Sequence, residues 1–144
     1  MKIKELMTKN PVFIRPDDSI VEAAKKMEKI DCGILPVGND ADHCVGMITD
    51  RDIVLRALAK NKEAKSTKVK DVMTKAVYAC HEDDLLEHAA ELMREHKVNR
   101  LLVKNKKEKI TGIVTFGCML WKTPSATEVG HILDHASPRK IACA

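Results

Sequence analysis

Thr49 and Asp52 are the residues of this 144-residue chain whose types and spacing best suit chemistry. They stand in Gly46-Met47-Ile48-Thr49-Asp50-Arg51-Asp52-Ile53, an apolar run that stops in a polar turn and resumes with helical spacing. A strand that turns directly into a helix presents backbone N–H groups and the positive end of the helix dipole at one point, which suits a phosphate. Thr49 can add a hydroxyl there and Arg51 a charge. Asp52 cannot favour an anion, so its role would be to accept from donors such as the hydroxyls of a ribose. The same Thr-x-x-Asp is also a capping box, in which the two side chains satisfy the backbone donors themselves. Both readings are open from these eight residues.

Other polar groups carry less. Ser125-Ala126-Thr127-Glu128 is a second capping box, and Glu128, His131 and His135 fall on one face of the helix it starts. Such a trio can hold a metal, but no signature surrounds it, and a solvated polar face is the plainer reading, so no metal site is assigned. Arg51 and Arg56 are either phosphate ligands or solvated surface charges. Asp17-Asp18 and Asp83-Asp84 precede helical runs and read as N-terminal caps. No nucleophile with a neighbouring base, no P-loop and no paired catalytic carboxylates are found, so no enzyme activity is expected.

The elements that must position these groups come in two copies. Lys4-Glu5-Leu6-Met7-Thr8-Lys9 returns as Lys70-Asp71-Val72-Met73-Thr74-Lys75 at an offset of 66 residues. The same offset, without gaps, pairs Asp17-Asp18 with Asp83-Asp84, Ala23-Ala24 with Ala89-Ala90, Met27 with Met93, Gly46 with Gly112 and Thr49 with Thr115. Periodicity gives each copy the order β-α-β-β-α. In the first, a strand is expected at 12–14, a helix from 20 to 30 behind the capping box Ser19-Ile20-Val21-Glu22, strands at 33–37 and 44–49, and a helix over 50–59. In the second, a strand is expected at 77–80, a helix over 84–96 with Leu85 inward, strands at 100–103 and 110–115, and a helix from 116. The expected division is repeat one at 1–60, a polar, weakly helical tether at 61–68, repeat two at 69–122, and a C-terminal helix and tail at 123–144. One copy alone is marginal in size, so the two should pack sheet against sheet about a pseudo-twofold axis, an α/β (α+β) architecture.

Composition sets the class. Hydrophobic residues make up 44% of the chain, charged residues 32% with both signs interspersed, and the formal net charge is only +4, so nothing calls for nucleic acid. Cys32, Cys44, Cys80, Cys118 and Cys143 form an odd set with no C-x-x-C pair, which suits a reducing compartment. No apolar run is long enough to span a bilayer, and the expected location is cytoplasmic, off the membrane.

The Met-Thr openings, Pro16-Asp17-Asp18-Ser19-Ile20 before an Ala-Ala-x-x-Met helix, Ile34-Leu35-Pro36-Val37, and Gly46-Met47-Ile48-Thr49-Asp50-Arg51-Asp52 together resemble a cystathionine-β-synthase (CBS) domain. His96-Lys97-Val98-Asn99-Arg100-Leu101-Leu102-Val103 and Gly112-Ile113-Val114-Thr115 resemble its tandem partner, so the resemblance spans 1–120. It implies a CBS pair, or Bateman module, with clefts between the two repeats that take AMP, ADP, ATP or S-adenosylmethionine and report the ligand to a partner. It implies phosphate and ribose contacts for Thr49 and Asp52, base contacts to backbone near Val12, Ile14, Ile34 and Pro36, and a phosphate contact for Arg100. The expectation is therefore a stand-alone sensor of an adenosine-containing ligand, with no cofactor, a homodimer through its helices and an unidentified effector protein. A structural or thiol- and metal-responsive interaction protein is the alternative. In the second copy Cys118 replaces the acidic residue, Phe116-Gly117 replace Asp50-Arg51 and Leu102 replaces the proline, so the cleft at Thr115, itself a candidate ligand residue, is expected to be degenerate or to hold something less polar.

Overall fold

Ser19 starts the first long helix as expected, its hydroxyl accepting from Glu22 N–H while the Glu22 carboxylate accepts from Ser19 N–H. In chain order the computed structural model, which describes residues 1–134, contains α1 (Ile3–Leu6), β1 (Thr8–Lys9), α2 (Ile20–Ile30), β2 (Ile34–Gly38), β3 (Cys44–Thr49), α3 (Asp50–Arg56), a 3₁₀ turn (Leu58–Lys60), α4 (Val69–Val72), β4 (Ala79–His81), α5 (Leu86–Glu95), β5 (Arg100–Lys104), β6 (Ile110–Thr115), α6 (Phe116–Lys122) and α7 (Ala126–Asp134). The expected second helix of the first copy is shorter than 50–59: α3 ends at Arg56, with the fully buried Ala57 as its C-cap, and the chain goes on as the 3₁₀ turn. Leu85, expected inward, is the exposed N-cap of α5 instead.

The chain forms two compact units, Pro11–Val77 and Met1–Asn10 with the chain from Tyr78 onward. These cut across the sequence repeats, because each copy's opening segment docks in the unit built mainly by the other copy. In the Pro11–Val77 unit, Val69 N–H donates to Asp18 O (2.8 Å), Lys70 N–H to Pro16 O (3.0 Å) and Ile20 N–H to Thr67 O (3.0 Å). In the other unit, the residues 66 positions away do the same: Ile3 to Asp84 (2.9 Å), Lys4 to Glu82 (2.9 Å) and Leu86 to Met1 (3.1 Å). The stretch 61–68 is thus no free helical tether. Its end is fastened, with Thr67 buried and both its N–H and its hydroxyl bonded to Glu63 O.

The paired aspartates are not helix caps. Lys70 lies 3.0 Å from Asp17 and Lys4 lies 2.8 Å from Asp83, and each lysine holds its partner carboxyl below the usual range. Asp18 and Asp84 instead accept from Arg15 N–H (3.1 Å) and His81 N–H (2.8 Å), closing the turn ahead of each helix.

The Pro11–Val77 unit is built on the antiparallel pair β2–β3, with β2 buried throughout. Its core gathers Ile14, Ile20, Ala23, Met27, Leu35, Val37, Ile48, Ala57, Val69 and Val72. The other unit holds a four-stranded sheet in the order β1-β6-β5-β4, in which only β4 and β5 run parallel. The expected strand at 12–14 does not form. Ile14 alone bridges Val37, giving its N–H to Pro36 O and accepting from Gly38 N–H. In the second copy Leu102 N–H donates to Tyr78 O at 3.0 Å and a regular strand, β4, follows. Pro36, at the position of Leu102, has no N–H to give to Val12, so the pairing stops one step short.

Candidate functional site

The turn from β3 into α3 closes on itself. Thr49 is the N-cap, with Asp52 N–H donating to Thr49 Oγ1 and Thr49 N–H donating to Asp52 Oδ2, each at 3.1 Å. Asp50 N–H donates to Gly33 O (3.0 Å) and Arg51 N–H to Asp50 Oδ1 (2.8 Å). The first N–H groups of the helix are therefore committed: of the two readings open from the sequence, the turn forms the capping box and leaves no open anion nest. What remains is the Thr49 hydroxyl proton, free to be donated, and lone pairs on Asp52.

Asp52 is only 8% exposed. Beside Thr49 N–H, its carboxylate takes the Thr74 hydroxyl, 3.3 Å from each oxygen, and Arg56 Nε stands 3.8 Å from Oδ1. A carboxylate offers about four acceptor sites, so Oδ1 retains capacity for a further donor. A buried, oriented carboxylate next to a hydroxyl has the chemistry to accept from a diol, and Arg51 beside it is exposed.

Spacing in the sequence does not single out Thr74 as a partner of Asp52. Met47 and Thr74 exchange backbone hydrogen bonds (2.9 and 2.8 Å), which lays the second copy's Met-Thr opening along β3. The signal was present in the recurrence itself: the Met-Thr pair and the Gly-x-x-Thr turn recur together because they touch. Gly46 packs where a Cβ would come within 2.8 Å of Thr74 O, and Gly112 where one would come within 2.9 Å of Thr8 O.

Of the other expected ligand residues, Val12, Ile14, Ile34, Pro36 and Arg51 share the Pro11–Val77 unit with Thr49 and Asp52. Ile34 is buried directly across from Thr49, Pro36 across from Met47, and Val12 is exposed. Arg100 and Thr115 belong to the other unit, where the equivalent register sets them opposite each other. There the cap is kept with a thiol: Cys118 N–H donates to Thr115 Oγ1, and Thr115 N–H to Cys118 Sγ, each at 3.1 Å. The second turn has the fold's cap without the carboxylate.

Two further features lie near these elements. A shallow depression of about 280 Å³ is lined by Met27, Glu28, Asp31, Cys32, Gly33 and Asp50. Among the described residues no group of three or more His, Cys, Asp or Glu side chains is placed to hold a metal ion. Glu128 instead lies 3.4 Å from the Met1 amine, and His135 lies outside the described residues.

The family model for the CBS domain matches residues 3–58 and 69–120. The uncharacterized protein YlbB of Bacillus subtilis (strain 168) is 36% identical over 137 residues, covering 94% of this chain and 91% of that protein. Among solved structures, the CBS domain pair of protein MJ0100, in complex with 5′-methylthioadenosine and S-adenosyl-L-methionine, superimposes with a TM-score of 0.72 at 31% identity, covering 82% of this chain and 95% of that one. Hypoxic Response Protein I, with two coordinated zinc ions, gives a TM-score of 0.73 at 26% identity, covering 86% of this chain and 100% of that one.

Proposed function

We propose, for a chain that belongs to the CBS-domain family as a tandem pair, that it is a regulatory module that binds an adenosine-containing ligand at the Thr49–Asp52 turn and catalyses no reaction. The ligand class is AMP, ADP, ATP or S-adenosylmethionine, all of which carry the ribose diol that the Asp52 carboxylate can accept from. The observation that carries the reading is the difference between the two turns. Both keep the cap, but only the first keeps a carboxylate, buried and held by Thr49 and Thr74 with acceptor capacity to spare. The adenosyl ligands bound by the CBS pair of MJ0100 support the same class.

Occupancy would act on a partner by linkage: a ligand that favours one arrangement of the module shifts the partner's equilibrium by the ~1 to 3 kcal/mol usual for allosteric coupling. Association of two copies through helices is part of this reading. Val54, Leu55 and Leu58 are exposed on α3 and the turn after it, and Trp121 on α6 is 90% exposed.

Equilibrium titration and thermal shift with AMP, ADP, ATP, S-adenosylmethionine, NAD and zinc test the proposal. An adenosine compound should stabilise the protein, and Asp52→Ala should weaken its binding by ~1 to 3 kcal/mol through lost hydrogen bonds. Unchanged binding by Asp52→Ala would remove the site assignment. A response to zinc or oxidant alone would point to a thiol- or metal-responsive interaction protein instead.

A further inference from the structure

Arg56, the last residue of α3, is engaged by the protein itself. Its Nη1 donates to Val72 O at 3.2 Å and to Met73 O at 3.0 Å. Its Nε stands 3.8 Å from Asp52 Oδ1, too far for a hydrogen bond but close enough for the charge to be felt. The two carbonyls lie at the end of the four-residue helix α4, where no intrahelical donor is available to them. Thr74, next in the chain, gives its hydroxyl to the same carboxylate. Asp52 is thus tied to the Val72–Thr74 segment twice, directly by Thr74 and indirectly by Arg56.

The second copy is an internal control. Its docked segment, with Leu6-Met7-Thr8 in place of Val72-Met73-Thr74, is held by the equivalent backbone bonds. Yet the position of Arg56 is taken there by Lys122, which is exposed, and that of Asp52 by Cys118. Docking of the segment therefore requires no arginine. The arginine goes with the carboxylate: the first copy has both and the second has neither. A buried carboxylate needs donors and charge to compensate it, which a thiol does not.

We infer that Arg56 is a positioning residue for Asp52: fixed through Nη1 to the Val72 and Met73 carbonyls, it keeps a positive charge beside Oδ1 while leaving that oxygen's acceptor capacity to a donor on the ligand. A planar guanidinium held by two hydrogen bonds can do this. An ammonium on a flexible stem would swing onto Oδ1 and occupy it. This role rests on the reading of Asp52 as the acceptor for a ribose diol and adds the residue that keeps the acceptor available.

AMP and adenosine share the diol and differ in the phosphate, so titration with both separates positioning from direct contact. Arg56→Lys retains the charge and introduces the residue that the second copy accommodates at this position, whereas Arg56→Met removes the charge. Each variant should weaken the binding of AMP and of adenosine by about five- to tenfold, the effect of one misdirected hydrogen bond, and by the same factor for the two ligands. In an Asp52→Asn background neither substitution should weaken binding further, because the arginine acts through the carboxylate. A loss confined to AMP would make Arg56 a phosphate ligand and overturn the positioning role. Unchanged affinity in both variants, or an equal loss in the Asp52→Asn background, would reduce Arg56 to a clamp on the segment and overturn it as well, with the nucleotide site left standing. Failure of the unaltered protein to bind either ligand overturns the nucleotide reading, and the role of Arg56 with it.

Discussion

Thr74 donates its hydroxyl to the carboxylate of Asp52, 3.3 Å from each oxygen, across a gap of 22 residues in the chain. Asp52 is buried, so a lost donor is not simply replaced by water. Thr74→Val, which keeps the shape and removes the hydroxyl, should cost about 1 to 2 kcal/mol of stability, while Thr74→Ser should recover most of it. Urea unfolding of the three proteins measures the difference. Equal midpoints for wild type and Thr74→Val would show that the hydroxyl contributes nothing to holding Asp52.

The turn at Thr115 offers the converse substitution. Cys118 Sγ stands where Asp52 Oδ2 stands in the first copy, accepting Thr115 N–H at 3.1 Å. A thiol is a weak acceptor, whereas a carboxylate at this position accepts strongly and favours the positive end of the helix. Cys118→Asp should therefore raise stability by roughly 0.3 to 1 kcal/mol, with the gain shrinking in high salt. A destabilised variant would mean that packing of the thiol, not capping, decides the residue at this site.

Much of this is legible in the sequence. The 66-residue offset marked Lys4 and Lys70, Asp17 and Asp83, Met7-Thr8 and Met73-Thr74, and Gly46 and Gly112 as equivalent. What periodicity could not convey is that equivalent residues pair crosswise: Lys70 with Asp17, Lys4 with Asp83. Segment exchange leaves the local pattern of each copy untouched, so it has no signature in spacing. The same limit hid the tie between Thr74 and Asp52. The 12–14 strand failed for a different reason. Val12, Phe13 and Ile14 have strand character, but pairing depends on the partner, and the partner carries proline at 36. The capping box was legible in full, yet only the structure shows that it uses up the N–H groups a phosphate would have needed.

Gly46 and Gly112 give a test of the exchanged segments. A Cβ on Gly46 would lie 2.8 Å from Thr74 O and 2.9 Å from Met73 Sδ, and on Gly112 2.9 Å from Thr8 O and 2.5 Å from Met7 Sδ. The methionine tails can swing away, but the carbonyls belong to segments held by backbone hydrogen bonds. Gly46→Ala and Gly112→Ala should each destabilise by about 1 to 3 kcal/mol, the usual cost of overpacking. Hydrogen exchange should speed up at Thr74 in the first variant and near Thr8 in the second. Full stability in both would mean that the opening segments dock less tightly than their contacts indicate.

Cys80 links burial to pH. It sits in β4 against the core of its unit, 3% exposed, and burial, aided by the nearby Asp84 charge, pushes its thiol up to about 12. In the unfolded chain a cysteine ionises near 8.5. Above that pH the unfolded state releases a proton that the folded state keeps, so the folded state binds more protons and stability falls as pH rises. The contribution is complete below about pH 8, declines from there and is exhausted near the folded value of about 12. The difference in unfolding free energy between wild type and Cys80→Ala isolates it from other groups: the advantage of the wild type should be constant between pH 6 and 8 and shrink by pH 10. Thiol labelling at pH 8 gives an independent reading. Cys32, Cys44 and Cys118, partly exposed, should react in the native protein, whereas Cys80 should react only after denaturant is added. Native labelling of Cys80 at the rate of Cys32 would refute its burial.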